Sequence, residues 1–341
     1  MHAKSFYAAG LSALIAATVG TTAIAAEVNI YSYRQPDLIA PLLDAFTEET
    51  GIKTNVLFLK KGLVERLKAE GENSPADVIM TTDIGRLSGA KSEGVTQPVE
   101  NEAINGAIPG SYRDPEGHWF GLTTRGRVIY ASKDRVDQDT ITYEELADPK
   151  WKGKICIRSG QHAYNVALIA SMISHLGEEK AETWLASVKD NLARKPGGND
   201  RAQAKGVFAG ECDLGIGNTY YVGLMMTNEK EPEQKEWANS IKVLFPNTGD
   251  RGTHVNISGM ALAKNAPNRD DAIKLMEFLA SPKGQEIYAE QVFEYPVDPN
   301  AKASDIVNSF GKIKPDTLGL DEIAKNRAAA SELVDKVGFN N

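Results

Sequence analysis

Two α/β lobes joined by extended crossing segments are what the sequence predicts. Three observations point there. Strand-like and helix-like stretches alternate in two separate runs, the pattern of sheets with helices packed on them. Two long extended segments, HWFGLTTRGRVIYAS (118–132) and THVNISGMALAK (253–264), separate those runs. The chain has 341 residues, and single hydrophobic cores stop growing near about 250–300 residues.

The first run begins with a strand at VNIYS (28–32). A helix follows over DLIAPLLDAFTEET, where Leu38, Ile39, Leu42, Leu43 and Phe46 fall at helical spacing. Gly51 stands where a left-handed cap ends such a helix. A strand at 54–59, a helix over 63–70 and a strand at 77–80 complete a βαβαβ order, which implies a parallel sheet. Asp77 and Asp83 flank the end of that last strand and suit a turn or a helix N-terminus. The second run opens with GKICIRS as a strand, then helices over 164–175 and 178–192. A helix near 201–208, the strand DLGIG (213–217) and the strand IKVLF (241–245) follow. Helices over DDAIKLMEFLA and PKGQEIYAEQ come after the second extended segment. A two-lobed receptor with strand hinges needs this connectivity; one continuous large sheet is the alternative that periodicity leaves open.

The N-terminus predicts export. Lys4 supplies a positive start, an apolar run from about Leu11 to Val19 follows, and Ala23-Ile24-Ala25 fits small-residue cleavage. The mature protein is therefore expected from Ala26, in the periplasm. Losing Lys4 takes the formal charge from −8 to −9, which gives no electrostatic reason to bind nucleic acid or an anionic membrane. Cys156 and Cys212, the only cysteines, sit in strand-like contexts of an exported chain, where a disulfide is the first expectation.

Enzyme signatures are missing: the chain contains no GxSxG, no HExxH, no P-loop and no GxGxxG after the first strand. The five histidines lack metal-ligand spacing. No catalytic residue is assigned. Tyrosines, in contrast, gather at predicted strand ends, where ligands of such sheets bind. Tyr33 follows the first strand, Tyr164 opens a helix after GKICIRS, and Tyr220-Tyr221 follow DLGIG. Basic and polar groups occupy comparable points: Arg34, Gln35, Arg125 and Arg127. In GNTYYVG (217–223) the flanking glycines are expected to let the backbone turn sharply, so that both phenols reach one ligand. On the residues alone three readings stand. Phenolate oxygens suit a hard, highly charged cation such as Fe(III); tyrosine faces suit an organic cation; ordinary packing ranks first.

The wording of several segments alters that ranking. YSYRQP, SPADVIMTTD, TYEELADPKWKGKICIRSGQHAYN, GNTYYVG and THVNISGMALAKNAPN through EYPV resemble, in order, the periplasmic ferric iron-binding proteins of bacterial ABC transporters. The likeness runs over nearly the whole mature chain. It implies a bilobal, transferrin-like fold that closes on one Fe(III), with residues 26–125 and 252–300 in one lobe and 126–251 and 301–341 in the other. It also implies a binding protein rather than an enzyme, monomeric, delivering iron to an inner-membrane permease. By motif, the phenolate ligands fall on Tyr164, Tyr220 and Tyr221. Some members add a His-Tyr pair after the first strand; here Gln35-Pro36 stands in that place and can replace neither. Members without the pair complete the shell with a synergistic anion such as carbonate. Arg125, with Arg34 and Gln35, is the candidate to hold it, and Tyr33 is expected in the wall of the cleft.

Overall fold

Two long strands carry the chain between its halves, and their burial explains their length. The computed structural model describes Met1 and residues 26–341; the predicted signal segment and its cleavage site lie outside the described residues. Strands β1 (Glu27–Ser32), β2 (Lys53–Phe58) and β3 (Val78–Thr81) pair in parallel, joined by helices α1 (Pro36–Thr50) and α2 (Leu63–Glu70). Pro36 starts α1, where its missing N–H costs nothing. Gly51 ends it at φ 73°, donating its N–H to the Thr47 carbonyl. After α3 (Ile84–Ser92), β4 (Thr96–Gln97) and α4 (Glu102–Ala107) comes β5 (Phe120–Ser132), buried at all 13 positions.

The second half holds β6 (Ile155–Cys156), α5 (Ala163–Leu176), α6 (Glu178–Asp190), α7 (Asp200–Phe208) and β7 (Leu214–Asn218). It continues through α8 (Thr219–Met226), α9 (Glu233–Asn239) and β8 (Ile241–Leu244). Strand β9 (Val255–Ala263), buried throughout, then returns the chain to the first half. There it pairs antiparallel with β3 and β5, followed by α10 (Arg269–Ala280), α11 (Pro282–Val292) and β10 (Tyr295–Pro296). The last helices are α12 (Asp305–Ser309), α13 (Leu320–Lys325) and α14 (Arg327–Lys336).

Strand order is β2-β1-β3-β9-β5-β7-β6, so both readings of the periodicity meet in one structure. A hydrogen-bonded path runs unbroken through the molecule, yet β5 changes partner along its length. From Phe120 to Gly126 it pairs with β9; from Arg127 to Ala131 it pairs with β7. On one side of the changeover, Ile30, Phe46, Met260 and Leu275 build a core beneath α1, α10 and α11. On the other, Val128, Tyr130, Val207 and Met225 build a satellite core beneath α7 and α8. A third cluster joins the halves: Leu320 and Ile323 of α13 pack with Ile84 and Leu87 of α3 and with Leu168 and Ile169 of α5. Arg327 adds an ion pair to the buried Asp83 at 3.4 Å. Among the described residues no helix is long and apolar enough to cross a membrane.

Cys156 and Cys212 form a disulfide, with Cα atoms 5.8 Å apart, tying β6 to the start of β7. Gly206 of α7 lies against it: a Cβ there would stand 3.1 Å from each sulfur. The bridge closes a separation of 56 residues, which in the chain-entropy account stabilises by about 4 kcal/mol. Replacing both cysteines by alanine should lower the urea-unfolding free energy by about that amount while leaving the far-ultraviolet spectrum intact. An unchanged midpoint would show that the unfolded chain gains nothing from the cross-link.

Candidate metal centre

Two helix starts deliver three phenols to one point. Strands β6 and β7 are parallel neighbours, so the loops at their carboxyl ends open on the same side, the usual place for a ligand in such sheets. After β6 the chain reaches His162, the N-cap of α5, whose Nδ1 accepts from the Tyr164 N–H at 3.3 Å. Burial, then Arg158, push this imidazole down to about 4, so it stays neutral and its nitrogen can accept. Tyr164 therefore sits in the first turn of α5. Tyr220 and Tyr221 sit in the first turn of α8, which starts directly after β7.

The Tyr164 and Tyr220 hydroxyls stand 3.2 Å apart. The Tyr220 and Tyr221 rings stack at 4.2 Å between centroids and 29° between planes. Adjacent helical residues diverge by about 100° around the axis, so the stacking reflects side chains that lean back toward the helix N-terminus. The glycines of GNTYYVG have a different task from the turn expected of them. Gly217 lies within β7 and Gly223 within α8. A Cβ on Gly217 would enter the Tyr130 ring, and one on Gly223 would enter the Phe293 ring. The glycines therefore allow close packing behind the phenols, and the strand-to-helix junction at Asn218 makes the bend.

Positive charge surrounds the phenols. The guanidinium carbons of Arg158, Arg125 and Arg127 lie 5.4, 5.7 and 6.0 Å from the Tyr164 ring centre, and Arg201 lies 5.0 Å from that of Tyr221. Arg127 is held through its two terminal nitrogens, its Nε being buried without a partner: Nη1 donates to Asp200 (2.7 Å) and Asn218 (3.1 Å), and Nη2 to Asn165 (2.7 Å). Arg125 is different. It is 1% exposed, and Nη1 donates to Ser258 at 3.1 Å. Its Nε and Nη2 are buried without a partner, although an unmet buried donor is costly. Arg125 lines a small cavity together with Arg127, Tyr164, Asn218, His254 and Asn256. The Nδ1 of His254 there also lacks a partner, and burial pushes this imidazole down to about 4, keeping it neutral.

Burial, then the neighbouring Tyr164 and Tyr221 and the Asp200 carboxylate, hold Tyr220 well above the ordinary phenol value. Burial, then Tyr164 and Asp200, raise Tyr221 as well. Both are protonated at neutral pH unless something displaces the proton.

The other residues singled out in the sequence are placed as follows. Arg34 is buried and donates to Glu294 (2.8 Å), Ser258 (2.6 Å) and Tyr288 (3.0 Å). Gln35 is exposed at the N-cap of α1 and makes no capping bond. The Tyr33 hydroxyl accepts from the Leu63 N–H at 3.0 Å, at the start of α2, while Arg86 covers its ring at 4.1 Å. The Tyr33 hydroxyl thus already accepts one bond, and Tyr33 lines a pocket with Val64 and Arg86, separate from the cavity beside Tyr164. Sequence reasoning missed Asp200, Arg158, Asn165 and Arg201. Arg158 stands at a strand end in KICIRSG and Asp200 opens a helix after GGN, signals that differ little from those of ordinary surface charges. Among the described residues no group of three or more His, Cys, Asp or Glu side chains can hold a metal; the convergent oxygens are the phenols.

Two α/β halves joined by crossing strands, with polar groups converging beside the crossover, define a receptor that captures a ligand between lobes. The chain belongs to the bacterial extracellular solute-binding protein family, whose sequence profile matches residues 73–326. It is similar to iron uptake protein A1 of Synechocystis, 44% identical over 315 residues covering 92% of this chain and 87% of that one. Among solved structures it resembles the Bordetella ferric binding protein at TM-score 0.87 and 51% identity, covering 92% of this chain and all of the other. It also resembles the Trichodesmium protein solved with iron and citrate ligands, at TM-score 0.87 and 45% identity, covering 92% and 99%. The bilobal α/β fold follows.

Substituting Gly217 by alanine should cost about 1–3 kcal/mol, the usual range for overpacking, because the Tyr130 ring is itself fully buried. Urea titration measures this. A variant as stable as the parent would mean that Tyr130 moves aside freely.

Proposed function

We propose that this chain captures Fe(III) through Tyr164, Tyr220 and Tyr221 and delivers it to a membrane permease. The observation that carries the reading is the convergence of three phenols from two helix starts inside a ring of guanidiniums. Phenolate is a hard oxygen donor, and only a strong Lewis acid displaces a proton from phenols that burial holds protonated. Three phenolates balance the charge of one ferric ion. An organic cation fits poorly, since it leaves the phenols neutral and no phenolate then offsets the four guanidiniums that flank Tyr164 and Tyr221, whereas a ferric ion creates the phenolates that offset its charge. The names of the Synechocystis and Bordetella relatives support iron as the cargo.

Arg125 is our candidate for a synergistic anion, carbonate or a small carboxylate. Its two free N–H groups form one edge of a guanidinium, which suits two oxygens of a carboxylate. That the Trichodesmium protein was solved in complex with iron and citrate ligands supports an anion of that class. Arg34 is neutralised by its ion pair with Glu294, and Gln35 and Tyr33 are left without a metal bond in this scheme. The protein then works as a binding protein without a catalytic step, as an exported periplasmic monomer.

Ferric iron added with bicarbonate or citrate should produce a visible phenolate-to-iron charge-transfer band. Replacing Tyr220 or Tyr221 by phenylalanine should weaken the band and reduce affinity, and Arg125→Gln should reduce its dependence on the anion. A colourless titration, or full iron binding in both phenylalanine variants, overturns the ligand set.

Acid should oppose capture. Tyr220 and Tyr221 have raised pKa values in the free protein, so both protons must leave when iron binds as phenolate. With Tyr164 also binding as phenolate, loss of three protons makes the affinity fall about 1,000-fold for each unit of acidification through the neutral range. Competition against a chelator at two pH values, corrected for the chelator's own protonation, measures the slope. A slope of zero would mean that the phenols bind iron protonated or not at all.

A further inference from the structure

We propose that Asp200 is the positioning residue of this site: one buried carboxylate holds the arms that bear all three phenols in register. The inference rests on the ferric reading above.

Asp200 is fully buried and opens α7. Its Oδ1 accepts from Arg158 Nη1 at 3.0 Å. Its Oδ2 accepts from Arg127 Nη1 at 2.7 Å and from the Asn218 N–H at 2.9 Å. Each bond acts on a different part of the centre. Asn218 is the last residue of β7 and the N-cap of α8, so the bond to its N–H fixes the junction from which Tyr220 and Tyr221 depart. The Asn218 side chain makes no capping bond for α8; its Oδ1 accepts from Arg127 instead. Arg127 also donates to Asn165, the residue after Tyr164, and so links α5 to the end of β7. Arg127 and Arg158, both anchored by Asp200, are two of the three guanidiniums over the Tyr164 ring.

The charge of Asp200 works against the chemistry it supports. A carboxylate near Tyr220 and Tyr221 raises the cost of forming phenolate. Its place is explained by geometry: it stands at a helix N-terminus that favours an anion, and it satisfies donors from three segments at once. These two roles predict opposite effects of removing the charge, and the experiment separates them.

Asp200→Asn keeps an oxygen for the Asn218 N–H and removes the charge. If charge alone mattered, ferric affinity would rise. Positioning predicts that affinity falls about tenfold or more, in the range typical of residues that orient metal ligands. It also predicts that the charge-transfer band loses intensity per bound iron, while the melting curve of the metal-free protein stays cooperative. In a double-mutant cycle Arg158→Gln should add little to Asp200→Asn, because both cut the same link. Equal or tighter binding by Asp200→Asn, with an unchanged band, overturns the proposal. Should that variant not fold, Arg158→Gln alone decides, and an unaltered band and affinity in it overturns the proposal. If the parent protein itself gives no band with ferric iron, the ferric reading fails instead, and the two failures are told apart.

Discussion

The centre depends on one strand, β5, running buried through the whole molecule and presenting alternate residues to one face. Side chains two apart on a strand share a face, so Arg125 and Arg127 project together toward Tyr164. Their cross-strand partners, Asn256 on β9 and Asn218 on β7, extend that face on either side. The change of partner between Gly126 and Arg127 therefore falls between the two arginines. One guanidinium belongs to each pairing, and both meet the same phenol.

Such a strand is expensive to bury. A charged side chain out of water costs several kcal/mol unless it is paired and its donors are met. The structure answers that cost in two ways. Arg127 is met at both terminal nitrogens by a carboxylate and two amide oxygens, an arrangement that fixes geometry although its Nε is unmet. Arg125 is met by a single hydroxyl, an incomplete one. Arg34 and Glu294 show that the fold can complete such a group when nothing else is needed: Glu294 is fully buried and accepts from Arg34, Thr123 and Ser258. Arg125 keeps both Nε and Nη2 unmet, and the residue lines the cavity beside Tyr164.

Much of this was legible in the sequence, and the limits have physical causes. The helix of Leu38 to Phe46, the strand order of the first run and the two extended segments carried periodicity and cap signals that survive folding. The three tyrosines were found because strand ends are where ligands collect and because whole segments resembled a known family. Asp200 was invisible because a buried carboxylate and a surface one look alike until the groups that meet it are known. The role of the glycines in GNTYYVG was misjudged for a related reason. Glycine marks both a turn and a close approach, and only the positions of Tyr130 and Phe293 distinguish the two.

The two sides of the crossover contribute unequally, and the reason lies in what each side chain already does. On the side of the first run, the Tyr33 oxygen is used by α2, Arg34 by Glu294, and the amide of Asn256 by Asp83, to which it donates at 2.8 Å. Asp83 in turn faces Arg327 at the start of α14. Each of these groups is thus engaged by its own neighbours. On the side of the second run, the phenol oxygens of Tyr164 and Tyr220 have mainly each other. A hard cation placed among the phenols would therefore gain its protein bonds from one side. In the proposed scheme an exogenous anion or water completes its shell, and Arg125 is our candidate to hold the anion.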